Sequence, residues 1–391
     1  MNIPASAEKN FAFAKMIRRD IHQHPELGFM EFRTAALIKK YLDGFGYKVI
    51  DHIGKTGVVG ILDSSRPGKT IMMRFDMDAL PIQEENETDY RSQINGVMHG
   101  CGHDGHIAIG ITTAKIISEN KESISGKVVF LFQPAEEGLG GAEAMLRDGV
   151  LELIKPDAAL AVHLWNEKPF GWLGITPGPL MAGADIIEIN IKGKGGHGAM
   201  PQEAVDPVIT AAQVLISLQT INSKFISPFD SVVISITEFK AGDTHNVIPP
   251  VAYLRGSIRT FNKDTRAVAL SRIYQMTTAI STGYGCTSEV VITPLTPPVE
   301  NSPDIASQVI KTARKYLPDM KVDNSYQVMA SDDMAVFLEK IPGCYILIGS
   351  ADEGKQLTSH HHNPKFDFQE EAMTSAILLL TGFSTTYLNN T

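Results

Sequence analysis

The chain has 391 residues and a mass of 42.6 kDa, which is too long for one small core and, at about 150 residues per domain, enough for two or three. With 43% hydrophobic and 20% charged residues it has an ordinary globular composition. Its formal charge of −9, with no long basic run, argues against an electrostatic grip on nucleic acid or anionic lipid.

No stretch approaches the roughly 18 unbroken apolar residues of a membrane helix. Near the start, Lys9, Asn10 and Lys15 interrupt anything resembling a secretory core. Cys101, Cys286 and Cys344 are too few for a disulfide framework, so the expected setting is reducing and cytoplasmic.

Between Phe11 and Tyr41, Phe13, Ile17 and Ile21, then Leu37, Ile38 and Tyr41, recur at helical spacing. The spacing predicts two helices around a kink at His24-Pro25, stopped by Gly44 and Gly46. Strands are expected at Val58–Leu62 and Thr70–Phe75, a helix at His106–Ser118, and strands at Lys127–Phe132 and Ala158–Leu164. These apolar runs do not alternate, as befits strands covered on both faces of a mixed α/β layered structure.

From Asp185 to Leu295 the pattern changes. It predicts a strand at Asp185–Ile191, a helix at Pro207–Ile221, strands at Asp230–Phe239 and Val251–Phe261, a helix at Thr265–Ser281 and a strand at Thr287–Thr293. That β-α-β-β-α-β order is a small ferredoxin-like α+β sandwich with a four-stranded antiparallel sheet. Thr176-Pro177-Gly178-Pro179 before it, and Pro294, Pro297 and Pro298 after it, punctuate it as an insert. The expected division is one domain of residues 1–180 and 296–391, interrupted by a second of residues 181–295. Helices at Ser302–Tyr316 and Ser331–Lys340, a strand at Cys344–Ile348 and a closing helix at Glu370–Thr381 should return to the first sheet.

Polar clusters fall where strands should end: Arg74-Phe75-Asp76-Met77-Asp78, His99 to His106, Gln133-Pro134-Ala135-Glu136-Glu137, His163, and His360-His361-His362. Beyond the carboxyl ends of the strands of an open α/β sheet, such groups share a crevice. Cys101 and His103 offer a thiolate and an imidazole between Gly100, Gly102 and Gly105, whose missing side chains let backbone curl around an ion. Adjacent carboxylates can divide labour, one on a metal and its neighbour reaching the metal-bound water as general base. Each cluster alone has a plainer reading: an ordinary loop for Cys101-x-His103, a solvated turn for Glu136-Glu137, a satisfied core histidine for His163 and a polar loop for the three histidines. Together they make a paired-metal site, with ions about 3.5–4 Å apart, the more specific reading. The insert adds two loops, Gly193–Pro201 around His197 and Thr244–Pro250 around Asn246, that could offer hydrogen bonds to a ligand.

Several ordered motifs carry a resemblance over nearly the whole chain: His22-Gln23-His24-Pro25-Glu26-Leu27-Gly28, Asp76-Met77-Asp78-Ala79-Leu80-Pro81, Cys101-Gly102-His103-Asp104-Gly105-His106, Gln133-Pro134-Ala135-Glu136-Glu137-Gly138, Gly195-Gly196-His197-Gly198-Ala199-Met200-Pro201, Asn246-Val247-Ile248-Pro249 and His362-Asn363-Pro364. The chain resembles the M20 metallopeptidase family in its amidohydrolase branch, which includes hippurate hydrolases, N-acyl-amino-acid deacylases and plant hydrolases of indole-acetyl amino acid conjugates. The resemblance implies a mixed-sheet, zinc-peptidase-like catalytic domain with an inserted lid and dimerisation domain. It implies Cys101, His103, Glu137, His163 and His362 as ligands of two divalent metals, of which Zn, Mn, Co and Ni all suit mixed donors. Asn363-Pro364 sets the register that selects His362.

By the same resemblance Glu136 is the general base and Asp78 a carboxylate beside the metals, with Asp76 standing where other branches have a metal-binding histidine. His197 would reach the partner subunit's active site to stabilise the oxyanion, and Asn246 would bind substrate. The implied reaction is hydrolysis of N-acetyl, N-benzoyl or aryl-acetyl amino acids by a homodimer or higher homo-oligomer, with no nucleic-acid or membrane partner. A di- or aminopeptidase would need a pocket for a free α-ammonium, and a non-catalytic dimeric binding module would need a lost ligand or base.

Overall fold

In the computed structural model, which describes residues 2–389, three helices lead the chain: α1 (Ile3–Lys9), α2 (Phe11–Gln23) and α3 (Phe32–Gly44). Apolar spacing predicts α2 and α3. It misses α1, which is too short to show a period and begins where the Asn2 side chain accepts from the Ala5 amide. Pro25 disfavours helical backbone at the residue before it, and α2 accordingly stops with His24 at φ −128°.

Strands β1 (Lys48–Ile53), β2 (Gly57–Asp63), β3 (Thr70–Asp76), β4 (Lys127–Gln133), β5 (Ala158–Pro169) and β6 (Trp172–Gly174) join Lys321–Asp323 and Gly343–Ala351 in one sheet. Its order is β1, β2, β4, β3, β5, Gly343–Ala351, β6, Lys321–Asp323. The block from β4 to Gly343–Ala351 is parallel, and β2 and β6 flank it antiparallel, giving the mixed sheet expected.

Alternation along each strand decides what the faces carry. Met73, Phe75, Phe130, Phe132, Val162 and Leu164 enter a core shared with α2, α4 (His103–Glu119) and the closing helix Glu371–Asn389. The intervening Arg74, Gln133 and His163 fall on the other face, in register with Leu131 and Ala161. Helix α4 starts at His103, three residues before the sequence expectation, because Gly102 at φ 88° turns the chain directly into it.

The chain divides into two compact units. One runs to Leu180 and takes up Glu300–Tyr326 and the chain from Asp333; the other is Met181–Val299 with Gln327–Asp332. In the second unit, Val232–Ala241, Val251–Thr260, Gly183–Lys192 and Thr287–Thr296 pair antiparallel in that order. Ala211, Val214 and Leu218 of the helix Pro207–Leu218, with Ala269 and Ile273 of Lys263–Gly283, pack on Ile187, Ile189 and Ile191. The helix expected over Ser331–Lys340 is shorter, Met334–Leu338, since Arg259 donates to the Met329 carbonyl and the Ser331 hydroxyl and ties that segment to the second unit.

A buried charge cluster fastens α2 to the first turn of α4. Arg18 donates from Nε to Asp104 Oδ2 at 2.8 Å and from Nη2 to Asp367 Oδ1 at 2.7 Å, lying against the rings of Tyr90 and Phe368. His22, one turn further on, shares that Asp104 oxygen through Nδ1 at 2.8 Å, with Nε2 3.2 Å from Glu84 Oε1. Burial and Arg18 both lower the His22 pKa, but Asp104 and Glu84 outweigh them and push it up from 6.5 to about 9. The folded chain therefore keeps a proton that the unfolded chain releases, so the stability His22 adds is complete below pH 6.5 and is lost as pH rises through about 9. In urea denaturation, the stability difference between wild type and His22→Gln should shrink steadily from pH 6.5 to 9. A difference independent of pH would place the proton elsewhere.

Candidate metal centre

The parallel strands share one carboxyl edge, and the candidate residues gather beyond it. β3 runs out through Asp76 to Asp78, and β4 through Gln133 to Glu136 and Glu137. β5 continues past the pairing of Arg74 with Ala161, so His163 stands at the same edge although it is in mid-strand. The glycine loop before α4 brings Cys101 and His103, and the chain after Gly343–Ala351 brings His362.

Donor atoms of Cys101, His103 and His163 lie within 4.8 Å of one another, as do those of Cys101, Glu137 and His362 and those of His103, Glu136 and Glu137. Cys101 Sγ is 3.5 Å from His163 Nε2, and His362 Nε2 is 3.2 Å from Glu137 Oε1. The three consecutive histidines separate cleanly. His360 Nδ1 meets Glu167 Oε1 at 2.6 Å, and His361 Nε2 donates to the Leu164 carbonyl at 3.0 Å; His362 alone faces Glu137.

The other ring nitrogens decide which lone pairs are on offer. His163 donates from Nδ1 to the Leu164 carbonyl at 2.7 Å, and His103 from Nδ1 to the Asp78 carbonyl at 2.9 Å. In the neutral form of each ring, Nε2 is thereby left as an acceptor turned to the centre. His103 Nε2 is buried without a hydrogen-bond partner, and Glu137 Oε1, also buried, has His362 Nε2 at 3.2 Å. Unpartnered buried polar atoms are costly and uncommon, and a cation is the partner that several facing acceptors share. Sulfur, imidazole and carboxylate donors together suit a divalent transition metal, so the residues fit such an ion.

Charge tells the same way. Burial, then Glu137 and Glu136, push the Cys101 thiol well above its usual range. Burial pulls His103 down, but Asp76 and then Asp78 more than offset it, pushing it up to about 10. A bound cation inverts this logic and favours thiolate and neutral imidazole.

Asp78 orients two of the donors: Oδ2 accepts from the Glu137 amide at 3.0 Å, and Oδ1 lies 3.2 Å from His103 Nδ1. Asp76, at the position where the resemblance has a histidine, is occupied by support. Its carboxylate accepts from His106 Nδ1 and from Arg74 Nη1, each at 2.5 Å, while His106 Nε2 accepts from the Leu164 amide at 2.9 Å. Arg74 Nε donates to Gln133 Oε1 at 2.9 Å, and Gln133 Nε2 to Asp333 Oδ1 at 2.7 Å, all buried. Sequence reasoning did not assign this supporting layer. Its signal was two polar residues at alternate positions of otherwise apolar strands.

His197 and Asn246 belong to the second unit, where the short strands Gly196–His197 and Val247–Ile248 pair and the Gly198 amide donates to the Asn246 carbonyl at 2.8 Å. His197 is exposed and accepts from the Ala199 amide through Nδ1 at 3.0 Å, which leaves Nε2 as the N–H donor. Asn246 Oδ1 accepts from the Thr244 hydroxyl at 3.1 Å.

Residues 72–385 match peptidase family M20/M25/M40. The chain belongs to this family. It is similar to the N-acetylcysteine deacetylase of Bacillus subtilis, 37% identical over 361 residues that make up 92% of this chain and 93% of that protein. With the hippurate hydrolase of Campylobacter jejuni it is 35% identical over 393 residues, 99% of each chain. Among solved structures it resembles the Bacillus subtilis YXEP protein, described as a dinuclear metal binding peptidase from the M20 family. That likeness has a TM-score of 0.86 at 33% identity and covers 98% of this chain and 100% of that one. For an M20 enzyme arranged in this way, Asp78→Asn should weaken divalent-ion binding by about 10–100-fold, and Cys101→Ala by more. Elemental analysis after dialysis against graded chelator tests this, and wild-type retention by both variants would place the ions elsewhere.

Proposed function

We propose that the protein is a metal-dependent amidohydrolase that cleaves the amide bond of N-acetyl, N-benzoyl or aryl-acetyl amino acids, yielding a carboxylic acid and a free amino acid. The observation that carries this reading is the meeting of Cys101, His103, Glu137, His163 and His362 at one place, with His103 Nε2 buried and unpartnered and a second carboxylate, Glu136, within 4.8 Å of His103 and Glu137 donors. Cys101 belongs to two of the donor groups, which supports a pair of ions sharing that edge. The names of the deacetylase and hippurate hydrolase relatives support N-acyl amino acids over free peptides.

Divalent ions held there supply Lewis acidity to the scissile carbonyl and make water a stronger acid. Glu136 takes the proton as the water oxygen bonds to the carbonyl carbon, and returns it to the amine nitrogen as the C–N bond breaks. Asp78 keeps Glu137 and His103 in place through its two oxygens. His197 of a second copy donates from Nε2 to the oxyanion, a contact worth roughly 10²–10³ in rate, and Asn246 binds substrate beside it. In this reading the inserted unit, residues 181–295, is both lid and dimerisation domain. Ile209 and Ile216, two turns apart on Pro207–Leu218 and both exposed, offer apolar surface for a homodimer or higher homo-oligomer. No helix among the described residues is long and apolar enough to cross a membrane, and three buried, unpaired thiols suit a cytoplasmic setting.

Glu136→Gln should keep its metal and lose turnover by about 10²–10⁴-fold on a panel of N-acetyl, N-benzoyl and indole-acetyl amino acids. A variant that stays active removes Glu136 from the base role, and wild-type turnover of free dipeptides alone would make the enzyme a peptidase. Mixing inactive Glu136→Gln with inactive His197→Ala should restore part of the activity through heterodimers. No recovery at any ratio would confine His197 to its own subunit or to no role.

A further inference from the structure

Glu31 precedes α3 and is completely buried, although a carboxylate is almost never so without a partner. Its two oxygens are spent on neutral donors: Oε2 accepts from the Thr56 hydroxyl and Oε1 from the backbone amide of Ala135 at 2.9 Å. Ala135 is the residue before Glu136 and has φ 52°, in the left-handed region that an L-residue with a Cβ avoids. Among the described residues with positive φ other than glycine, it alone is buried.

That backbone has a chemical consequence. In extended chain, adjacent side chains point to opposite faces, yet Glu136 and Glu137 both bring an oxygen within 4.8 Å of a His103 ring nitrogen. The turn over residues 136–138, where the Gly138 amide donates to the Glu136 carbonyl at 2.6 Å, brings the two side chains together, and the left-handed Ala135 swings that turn as a whole off the end of β4. Its surroundings hold that turn. A Cβ on Gly141 would lie 1.7 Å from the Pro134 carbonyl oxygen, and one on Gly28 would lie 3.1 Å from Ala135 Cα. Alternate amides of the turn are gripped by buried carboxylates, Ala135 by Glu31 and Glu137 by Asp78. Glu31 itself lies outside the residues, 72–385, that match the family.

We propose that Glu31 is a positioning residue for the general base, clamping the Ala135 amide so that Glu136 is held at its angle of attack; this rests on Glu136 being the base. Without the clamp Ala135 relaxes out of the left-handed region and Glu136 swings away, and a displacement of about 1 Å costs about 10²-fold in rate.

The test compares kcat, KM and metal content in four variants. Glu31→Ala should lose about 10²-fold in kcat with KM and metal content near wild type. Glu31→Gln should keep most of kcat, because its amide oxygen still accepts from Ala135 and its NH2 group donates to Thr56. Ala135→Gly in the Glu31→Ala background should recover part of kcat, since glycine holds the turn without a Cβ; the assay is run well below the unfolding transition of both variants, where relief of backbone strain changes no folded fraction and a merely structural role moves no kcat. Full activity in Glu31→Ala, equal damage in Glu31→Gln, or no recovery with Ala135→Gly overturns the proposal. Should Glu31→Ala fail to fold, Thr56→Val, which leaves the carboxylate present but unanchored, carries the test: kcat falls at constant KM or the clamp is rejected. Glu136→Gln separates the two levels. If it is inactive while Glu31→Ala is fully active, the clamp alone fails; if it is itself active, the base reading fails and the clamp loses its purpose.

Discussion

The convergence of sulfur, imidazole and carboxylate groups on one place is the constraint around which the first unit is organised. Cys101 Sγ, His163 Nε2, His103 Nε2 and Glu137 Oε1 converge at the carboxyl edge of the sheet, where each histidine has already given its other ring proton to a backbone carbonyl. Burial and the neighbouring carboxylates favour protons on Cys101 and His103, and a divalent cation would take the place of those protons among the same atoms. The sheet supplies the convergence, because four parallel strands end side by side. The tautomers supply the direction. Neither alone would make a site, and together they suit metal-assisted attack on a polarised carbonyl.

How much of this could be read from the sequence follows from distance along the chain. The donors of the centre sit in short motifs whose glycine and proline neighbours have local signatures, and the strands that precede them are long apolar runs. His163 could be assigned only through the family resemblance, because a histidine in an apolar strand has no signature of its own. Legibility ended where a partner lies far away. Glu31 and Ala135 are 104 positions apart, Arg74 and Asp333 259, and Arg18 and Asp367 349. A buried Glu beside a helix start looks like any surface Glu until its hydrogen bond is seen. The same reason explains the element boundaries. α1 is too short to show a period, the glycines before α4 read as loop, and the helix at Met334–Leu338 is cut short by a partner on another strand.

The first unit also holds its charges in two separate tiers. One, with Arg18, His22, Asp104 and Asp367, ties α2 and the chain before the closing helix to the first turn of α4. The other, with Arg74, Asp76, Gln133 and Asp333, lies against the face of the sheet that carries His163. Buried ion pairs contribute little net stability compared with well-packed apolar residues, while removing one partner costs about 3–5 kcal/mol. Their effect is therefore best understood as geometric. Asp104 follows His103 directly, and His106 bridges Asp76 to the Leu164 amide next to His163, so each tier fixes backbone within one residue of a donor.

Backbone conformation completes that logic. Gly102 at φ 88° stands between Cys101 and His103, Ala135 at φ 52° precedes Glu136, and His362 at φ 64° is itself one of the converging residues. Glycine takes that conformation freely, but Ala135 and His362 carry a Cβ and are strained by roughly 1–2 kcal/mol each. Strain of this kind persists only where the surroundings over-determine it. For His362 the restraint is a backbone bond, its amide donating to the Gly100 carbonyl at 2.8 Å, which couples it to the loop of Cys101. For Ala135 it is a side chain from before α3, so the first helices of the chain, which supply no donor to the centre, still determine its shape. A sequence can place an alanine in left-handed backbone beside two glutamates only if something remote holds it there, and that requirement binds the ends of the unit to its middle.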